Sequence, residues 1–391
     1  MVKETLKVLL VDEGMNTGDG SASKIGGGQL ARRRLLSDKR LFNVTLLSSE
    51  QEVIGLWKDR AETLHEEKLE VYRPVRTDIA LLKLDWTKFI FHNLKAACVL
   101  RKYLISRDWD IVLLNDNKSR FLYLVCLLVS PLRKYRFKVA ITIDGEWNLG
   151  LTDTLMKILY LFFFDKIVCP SQTVRKRLGW IGKLKQKKLL TAYSGMNIPA
   201  SRKRLYQAED ADDRVIKMAC IGTLRTAIKG QDLIVKAVAH LVKKNGTLPF
   251  KIFFFGDGPD KPVLMNMIKR SGVEEYFEFK GFVTDKFQIY NQADLCIVAS
   301  RTEAAPSILL ESFIRDIPVI ASDLEACKEI SSLFHNDLLF GKNDHEDLAR
   351  LIKKCLCRDV LKNVQRKIAN VNKQVISREY QVRRIHEFFS K

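Results

Sequence analysis

A chain of 391 residues, of which 47% are apolar, is too long for one ordinary core and suits two domains of about 200 residues each. The composition excludes a disordered or low-complexity protein, and the longest apolar runs, 121–129 and 158–164, fall short of the roughly 20 residues that span a bilayer. The formal net charge is +20, and residues 1–200 carry +13 of it. Such a positive field favours binding of polyanions, a nucleotide diphosphate or an anionic membrane surface. The alternative is a basic but otherwise ordinary protein surface.

Cysteine and histidine positions bear on compartment and metal binding. The eight cysteines and six histidines are scattered without zinc-ligand spacing, so we expect core cysteines in a reducing compartment and no metal site. The first residues lack the pattern of a signal peptide, which predicts a cytoplasmic protein, either soluble or peripheral on the inner face of the cell membrane. No zinc finger, aromatic RNA-binding run or helix-turn-helix pattern indicates nucleic acid.

Along the chain, short apolar runs alternate with helical patterns, as in parallel sheets covered by helices. In the first half we predict strands at 7–11, 43–47, 110–114, 138–143, 166–169 and 188–192, and helices near 28–37, 91–106, 119–129, 152–164 and 172–178. A polar, charged linker at 199–214 precedes a second alternation over 215–370 and a last helix within 371–391. The fold class is therefore α/β, with Rossmann-like domains at 1–198 and 215–370 whose strand ends face each other across a cleft.

The loop after the first strand contains Gly26, Gly27 and Gly28, directly before a helix. Glycines let the backbone approach a ligand closely, and the N–H groups of a helix start can bind a phosphate. A glycine-rich turn is also common for structural reasons alone. Its position after a strand favours the ligand, because parallel sheets bind ligands beyond the carboxyl ends of their strands.

The stretch 300–323 places two carboxylates between two buried strands. Apolar runs at 295–299 and 318–321 flank a helix that begins at Pro306 and has apolar residues at helical spacing to Arg315. Glu303 lies in the loop, and Glu311 lies about one turn inside the helix. A carboxylate at Glu311 can accept two hydrogen bonds from a ribose diol. The alternative is an acidic loop residue followed by a glutamate on the helix surface.

These residues, Glu303-Ala-Ala-Pro-Ser-Ile-Leu-Leu-Glu311, resemble the Glu-x7-Glu signature of retaining GT-B glycosyltransferases of family 4, within glycosyl transferases group 1. Two further segments, 222–230 and 256–259, are similar to the family's Gly-Arg-Leu…Lys-Gly segment and to its next strand-turn landmark. The resemblance covers most of the chain and is strongest over 215–323. It implies a GT-B fold with an N-terminal acceptor-binding domain, to which the C-terminal helix returns, and a C-terminal domain that binds the nucleotide-sugar.

The resemblance also implies roles for individual residues. Glu303 contacts the donor sugar, while Lys229 and an arginine hold the diphosphate; Thr223 occupies the usual arginine position, so we hypothesise that Arg225 supplies the guanidinium. Cations there would neutralise the charge that develops on the leaving group. The alternative is that Arg225 and Lys229 are both solvated loop residues. The predicted donor-binding residues are Gly27, Gly28, Gly222, Arg225, Lys229, Gly258, Glu303, Pro306, Ser307, Ile308 and Glu311.

One strand end departs from the family pattern. Asp144, followed by Glu146, stands near the point where family members carry a His-containing dipeptide that faces the donor sugar. Asp144 either accepts a hydrogen bond from a sugar or acceptor hydroxyl, or caps its loop, and we predict it as catalytic together with Glu303, Arg225 and Lys229. Asp108 and Asp110 have the Asp-x-Asp form of metal-dependent GT-A transferases, but they precede a strand, so we assign no residue to a metal.

The sequence thus predicts a retaining, metal-independent transferase without a cofactor, which moves a sugar from a nucleotide-diphospho-sugar to a glycan or lipid-linked acceptor in cell-surface polysaccharide or glycoconjugate biosynthesis. Closure of the two domains would exclude water. The basic segment 133–138 either meets anionic lipids or forms a turn after a buried helix. Two alternatives stay open: a GT-B nucleotide-sugar epimerase, and a non-catalytic GT-B-like protein that binds a nucleotide or polyanion.

Overall fold

The computed structural model describes residues 5–12, 33–36, 38–48, 54–55, 57–59, 61, 63–66, 86–114, 117–129, 137–142, 158–199, 215–283 and 286–391. Some predicted features lie outside the described residues: Gly27, Gly28, Asp144, Glu146, the basic residues 133–136 and the linker over 200–214. The chain divides into two compact units. The first comprises Met1–Pro170, Val174–Gly195 and Arg378–Lys391, and the second comprises Ser171–Thr173 and Met196–Ser377.

Each unit is built on one parallel sheet. The strands of the first are β1 (Leu6–Val11), β2 (Phe42–Ser48), β3 (Thr63–Glu66), β4 (Ile111–Leu114), β5 (Lys138–Thr142), β6 (Lys166–Cys169) and β7 (Leu189–Thr191). The strands of the second are β8 (Ile216–Ile221), β9 (Phe250–Phe255), β10 (Phe277–Gly281), β11 (Leu295–Val298), β12 (Val319–Ser322) and β13 (Leu339–Phe340). Their orders are β3-β2-β1-β4-β5-β6-β7 and β10-β9-β8-β11-β12-β13. The predicted α/β class with two Rossmann-like units is confirmed.

Helices connect the strands of both sheets. They are α1 (Trp86–Ser106), α2 (Asn117–Val129), α3 (Gln172–Lys176), α4 (Gly179–Leu184), α5 (Thr226–Lys229), α6 (Gln231–Asn245), α7 (Lys261–Arg270), α8 (Lys286–Gln292), α9 (Ser307–Phe313), α10 (Glu325–Leu333), α11 (His345–Cys355), α12 (Arg358–Ala369) and α13 (Arg378–Ser390). Residues 33–36 and 158–163 are also helical. Among the described residues, no helix combines the length and apolar character needed to cross a bilayer.

Strand burial explains why apolar runs predicted the sheets well. All residues of β4, β6, β11 and β12 are buried, as expected for parallel strands that are covered on both faces. The sequence did not predict strand β3, because it is only four residues long and of mixed polarity. It did not predict helix α4 either, because that helix begins at a glycine. The helix predicted over 307–315 ends at Phe313, and Asp316 then takes a left-handed conformation with φ of 62°.

The C-terminal helix α13 contributes to the core of the first unit. Val382, Ile385 and Phe389 are buried in one cluster with residues of β1 and β2, including Leu6 and Phe42. The main-chain carbonyl of Phe389 also accepts a hydrogen bond of 3.3 Å from Lys138 Nζ. The end of the chain is therefore part of the first folding unit, although the second unit precedes it in sequence.

All eight cysteines lie in the described part of the chain, and none of them forms a disulfide. Six are buried, as the sequence predicts, whereas Cys98 and Cys357 are exposed and correct that prediction. Burial raises the pKa of Cys126, Cys169, Cys220 and Cys355 to about 12. These thiols are protonated at neutral pH and serve as small apolar residues.

Candidate functional site

The strand order of the second unit reverses between β8 and β11, which are neighbours in the sheet. In open α/β sheets, ligands bind beyond the carboxyl ends of the strands at such a reversal. The segments that leave these two ends are 222–230 and 299–306. They carry five of the eleven residues that the sequence predicts for donor binding, namely Gly222, Arg225, Lys229, Glu303 and Pro306.

The turn after β8 packs against the turn after β9. A Cβ atom at Gly258 would lie 2.4 Å from the carbonyl oxygen of Leu224, so only glycine fits there. Gly258 thus has a packing role that requires no ligand. Gly222 is close to a predicted site residue, since a Cβ placed on it would lie 4.0 Å from Cε of Lys229.

Gly230 fixes the position of α5 against the end of β11. Its φ is +65°, and a Cβ atom there would lie 2.0 Å from the carbonyl oxygen of Ala299. The backbone N–H of Arg301 donates to the carbonyl of Ile228 at 2.8 Å, which joins the same two segments. The close approach of main chain to main chain places Lys229 beside the loop that contains Glu303.

The side chain of Arg301 also stabilises this contact between α5 and the loop after β11. Its guanidinium donates two hydrogen bonds to Asp232, at 2.7 and 2.8 Å, and a third to the carbonyl of Thr226. Burial works to raise the pKa of Asp232, but the hydrogen bonds and charge of Arg301 outweigh it, so the pKa of Asp232 lies below its ordinary value. The bidentate pair holds the start of α6 and the loop after β11 together.

Lys229 and Glu303 form an ion pair at the junction, with Lys229 Nζ 2.6 Å from Glu303 Oε1. Ser300 Oγ donates to the same oxygen at 2.7 Å. The Lys229 side chain is 33% exposed and that of Glu303 13%, so both remain partly accessible. The structure therefore brings together a cation and a carboxylate that the sequence assigns to the diphosphate and to the sugar.

Arg225 precedes α5 and is one helical turn from Lys229, whose backbone N–H donates to its carbonyl at 2.8 Å. Next to it, Thr226 donates from N and Oγ1 to Asp260 Oδ2, both at 2.7 Å. The Thr226 hydrogen bonds, and to a lesser extent the charge of Arg225, lower the pKa of Asp260. Arg225 is half-buried, and it shares a single turn with Lys229.

Glu311 lies inside the unit on α9, with 3% of its surface exposed. Tyr290 Oη donates to Glu311 Oε2 at 2.9 Å, and burial followed by the charge of Glu311 raises the pKa of Tyr290 well above its usual value. Arg315 donates to the main-chain carbonyl of Glu311 at 2.8 Å, and its guanidinium lies 4.7 Å from the centre of the Tyr290 ring. The alternative interpretation of Glu311 as a glutamate on the helix surface is therefore wrong.

The remaining predicted residues of this unit lie at the start of α9. Pro306 is buried directly before the helix, and Ser307 and Ile308 form its half-buried first turn. Gly27, Gly28 and Asp144 lie outside the described residues. Asp110 accepts a hydrogen bond of 2.8 Å from the backbone N–H of Lys7 just before β4, as a strand-start residue does.

Sequence reasoning missed the residues that support this site: Ser300, Arg301, Asp232, Asp260 and Tyr290. Arg301 and Asp232 are 69 residues apart, and no local pattern links them. Ser300 directly follows β11 and could have been found from that position. The histidines are dispersed along the sequence, but the fold brings His240 beside His345, which no sequence spacing predicted.

Comparisons with known proteins agree with this geometry. A family profile described as glycosyl transferases group 1 matches residues 216–358, which hold every described residue of the candidate site. The O-antigen biosynthesis glycosyltransferase WclY of Escherichia coli is 25% identical over 213 residues, or 52% of this chain and 56% of its own length. A Campylobacter jejuni alpha-1,4-N-acetyl-D-galactosaminyltransferase is 28% identical over 37% of this chain and 39% of its own. The second unit is therefore similar to glycosyl transferases group 1 over residues 216–358.

Solved structures extend the likeness to both units. Anabaena HepE in complex with UDP-glucose covers 98% of this chain, and 98% of HepE is covered in turn, with a TM-score of 0.70 and 15% identity. The chain therefore has the fold of the GT-B glycosyltransferases. Among the relatives matched by sequence, the chain spans a little over half the length of WclY.

Proposed function

We propose that this chain is a glycosyltransferase that moves a sugar from a nucleotide-diphospho-sugar to a glycan or lipid-linked acceptor during polysaccharide or glycoconjugate biosynthesis. The observation that carries the proposal is the Lys229–Glu303 ion pair of 2.6 Å at the reversal point of the second sheet. The pair lies within residues 216–358, which match the profile of glycosyl transferases group 1.

Cationic side chains would bind the diphosphate of the donor, and carboxylates would bind its sugar and ribose. Arg225, directly before α5, and Lys229, at its last position, supply cations, and a diphosphate there would replace part of the ion pair of Lys229 with Glu303. Cations placed there stabilise negative charge as the diphosphate leaves. Glu303 would then accept hydrogen bonds from the sugar, and Glu311 from the ribose hydroxyls.

The relatives support the substrate classes. HepE was crystallised with UDP-glucose, which is a nucleotide-diphospho-sugar. WclY acts in O-antigen biosynthesis, and the name of the Campylobacter jejuni relative specifies a diNAcBac-PP-undecaprenol acceptor, which is lipid-linked. We propose the same classes here, with the acceptor on the first unit and with Asp144 as a catalytic residue.

We propose further that transfer retains the anomeric configuration and needs no metal. The Lys229 and Arg225 side chains are the groups that would neutralise the diphosphate in place of a divalent ion. Transfer measured with excess EDTA and with added Mg²⁺ tests the second point, and NMR of the anomeric proton in the product tests the first. A requirement for Mg²⁺ or an inverted product would overturn the corresponding part.

The first experiment is a thermal-shift panel with UDP, GDP, ADP, dTDP and CMP, each with and without EDTA. A ligand that binds the native state raises its melting temperature, so one diphosphate should stabilise the protein and name the donor class. Glu311→Gln should remove most of that shift, whereas Glu275→Gln, at an exposed position of the same unit, should retain it.

The outcomes of the panel separate the hypotheses. No shift with any nucleotide, or a shift that Glu311→Gln leaves intact, would contradict the proposed site. Nucleotide binding without transfer to any glycan or lipid-linked acceptor would favour a binding protein. Conversion of the nucleotide-sugar without acceptor, to an epimer rather than to free sugar, would favour an epimerase.

Association with an anionic membrane surface is a separate proposal that rests on the net charge of +20. Flotation with liposomes that contain anionic lipid should carry the protein at low salt and release it at high salt. Absence from the liposome fraction at low salt would remove the proposal and leave the donor site unaffected.

A further inference from the structure

Two histidines and a glutamate meet on the second unit, away from the donor site. His240 lies on α6, and His345 and Glu346 form the start of α11. One ligand atom from each of the three lies within 4.8 Å of the others. The two imidazole rings stand edge to face, with centroids 6.2 Å apart, and both are half-buried while Glu346 is exposed.

The two helices hold these side chains in fixed positions. α11 packs against α6, and the buried Leu241 and Leu348 anchor the two helices in the core. The side chain of Asp344 accepts hydrogen bonds from the backbone N–H groups of Glu346 and Asp347, at 3.0 and 2.9 Å. This cap orders the turn that carries His345 and Glu346.

We propose that His240, His345 and Glu346 form a binding site for Zn²⁺ or a chemically similar divalent transition metal. Two imidazole nitrogens and one carboxylate suit Zn²⁺, Ni²⁺ or Cu²⁺, whereas Mg²⁺ and Ca²⁺ prefer sites made of oxygen atoms. Zn²⁺ holds its ligands at roughly 2.0–2.2 Å, so small side-chain rotations would draw the three atoms around the ion, and water would complete the shell.

The local charge supports a cation. The positive end of the α11 dipole opposes it, but the carboxylates of Asp344 and Glu346 at the start of the helix offset that effect, while Asp347 is already paired with Arg350. His240 is ten residues along α6 from Gly230, which corresponds to about 15 Å of helix. The ion would therefore clamp α6 to α11 without reaching the diphosphate-binding turn.

A metal at this position stabilises the second unit and leaves sugar transfer unchanged. EDTA would lower the melting temperature of the metal-loaded protein, although the proposed transfer mechanism uses no metal. Measurements of stability and of transfer in EDTA therefore have to be made separately.

The test uses the full chain without a histidine tag, first stripped by chelation. Titration calorimetry with Zn²⁺ should show one ion bound per chain and thermal shift should show stabilisation, with neither effect for Mg²⁺. The double variant His240→Gln/His345→Gln should lose at least about tenfold in Zn²⁺ affinity, since both nitrogen ligands are removed. The matched control is His335→Asn, at an exposed histidine of the same unit whose φ is 53°.

Zn²⁺ binding that is absent in the wild type, or equally strong in the double variant, would overturn the proposal. Circular dichroism and the nucleotide-induced thermal shift verify that the double variant is folded. Because Zn²⁺ binding is measured directly, its failure leaves the proposed transferase activity standing, and loss of that activity leaves the metal site standing.

Discussion

At the residue scale, the contact that decides the candidate chemistry is the pair Lys229–Glu303. The two residues are 74 positions apart, and the sequence assigned each of them separately to the donor. Their contact shows that two predictions made on different motifs concern one place in the fold. It also indicates that a diphosphate and Glu303 would compete for the same ammonium group.

Lys229→Ala should lower sugar transfer by roughly 10²-fold or more, because it removes a cation from the leaving diphosphate. The melting temperature should change little, since partly exposed ion pairs contribute at most about 1 kcal/mol. Initial rates with a saturating acceptor measure the effect. Lys236→Ala is the control, because Lys236 also pairs with a carboxylate of this unit but is 50% exposed. Equal rates for Lys229→Ala and the wild type would refute the assignment.

Tyr290 is expected to act as a positioning residue for Glu311. In Tyr290→Phe, the buried carboxylate loses the 2.9 Å hydrogen bond, so we expect KM for the donor to rise about tenfold with kcat nearly unchanged, along with a stability loss of about 1–3 kcal/mol. A change in KM is the informative readout, because a purely structural role would lower stability alone.

Tyr276→Phe is the matched control for that prediction. Tyr276 is also buried in the second unit, and its hydroxyl accepts a hydrogen bond of 3.2 Å from the backbone N–H of Leu248. Both variants should lose stability, but only Tyr290→Phe should change the donor KM. A similar KM in the two variants would mean that Tyr290 does not orient Glu311.

At the scale of elements, the close approach of the main chains at Gly230 and Ala299 places α5 against β11. Such an approach leaves no space for a side chain, and the positive φ adds strain for any other residue. Glycine at this position is therefore a condition for the meeting of Lys229 with Glu303. Its cause is tertiary packing, although the sequence suggested only a family landmark.

Gly230→Ala should destabilise the second unit by several kcal/mol and abolish the rise in melting temperature that the nucleotide induces. Left-handed backbone alone costs about 1–2 kcal/mol, and the 2.0 Å contact adds a clash that only a main-chain shift can relieve. Urea unfolding measures the difference. Gly272→Ala isolates the strain, because Gly272 has φ of +63° with no atom within 4 Å of its added Cβ. Equal losses in both variants would show that the contact with Ala299 is unimportant.

At the scale of the whole molecule, the order of the chain differs from the grouping of its parts. The first unit contains residues from both ends of the sequence, since α13 follows the entire second unit. The apolar side of α13 enters the core beside β1 and β2. Substitutions near the C-terminus should therefore affect the first unit before the second.

Phe389→Ala should lower the free energy of unfolding by about 3–5 kcal/mol, because removal of this large buried side chain leaves a cavity. The first unit should be the one destabilised. Calorimetry in the presence of the stabilising nucleotide should therefore show a lower melting temperature for that unit alone. Phe162→Ala is the control, since Phe162 belongs to the same unit and is 63% exposed. A nearly unchanged melting curve for Phe389→Ala would contradict the place of α13 in this core.

The sequence predicted most of the strands within one or two residues, because fully buried parallel strands are continuous apolar runs. It was less informative where the elements are short, as for β3, or begin at an unusual residue, as for α4. Within the candidate site it predicted the residues that lie in motifs, namely Lys229, Glu303 and Glu311. Their partners Ser300 and Tyr290 were not recognised as such.

What the sequence determined by itself was the α/β class, the positions of the apolar elements and the two carboxylates of the stretch 300–323. Those properties are local, since periodicity and spacing record which faces of one element are buried. Only the tertiary structure decided that Lys229 meets Glu303, that Tyr290 holds Glu311 inside the unit, and that His240 approaches His345. Such contacts depend on which loops and helices the strand order brings together, and no spacing along the chain encodes that order.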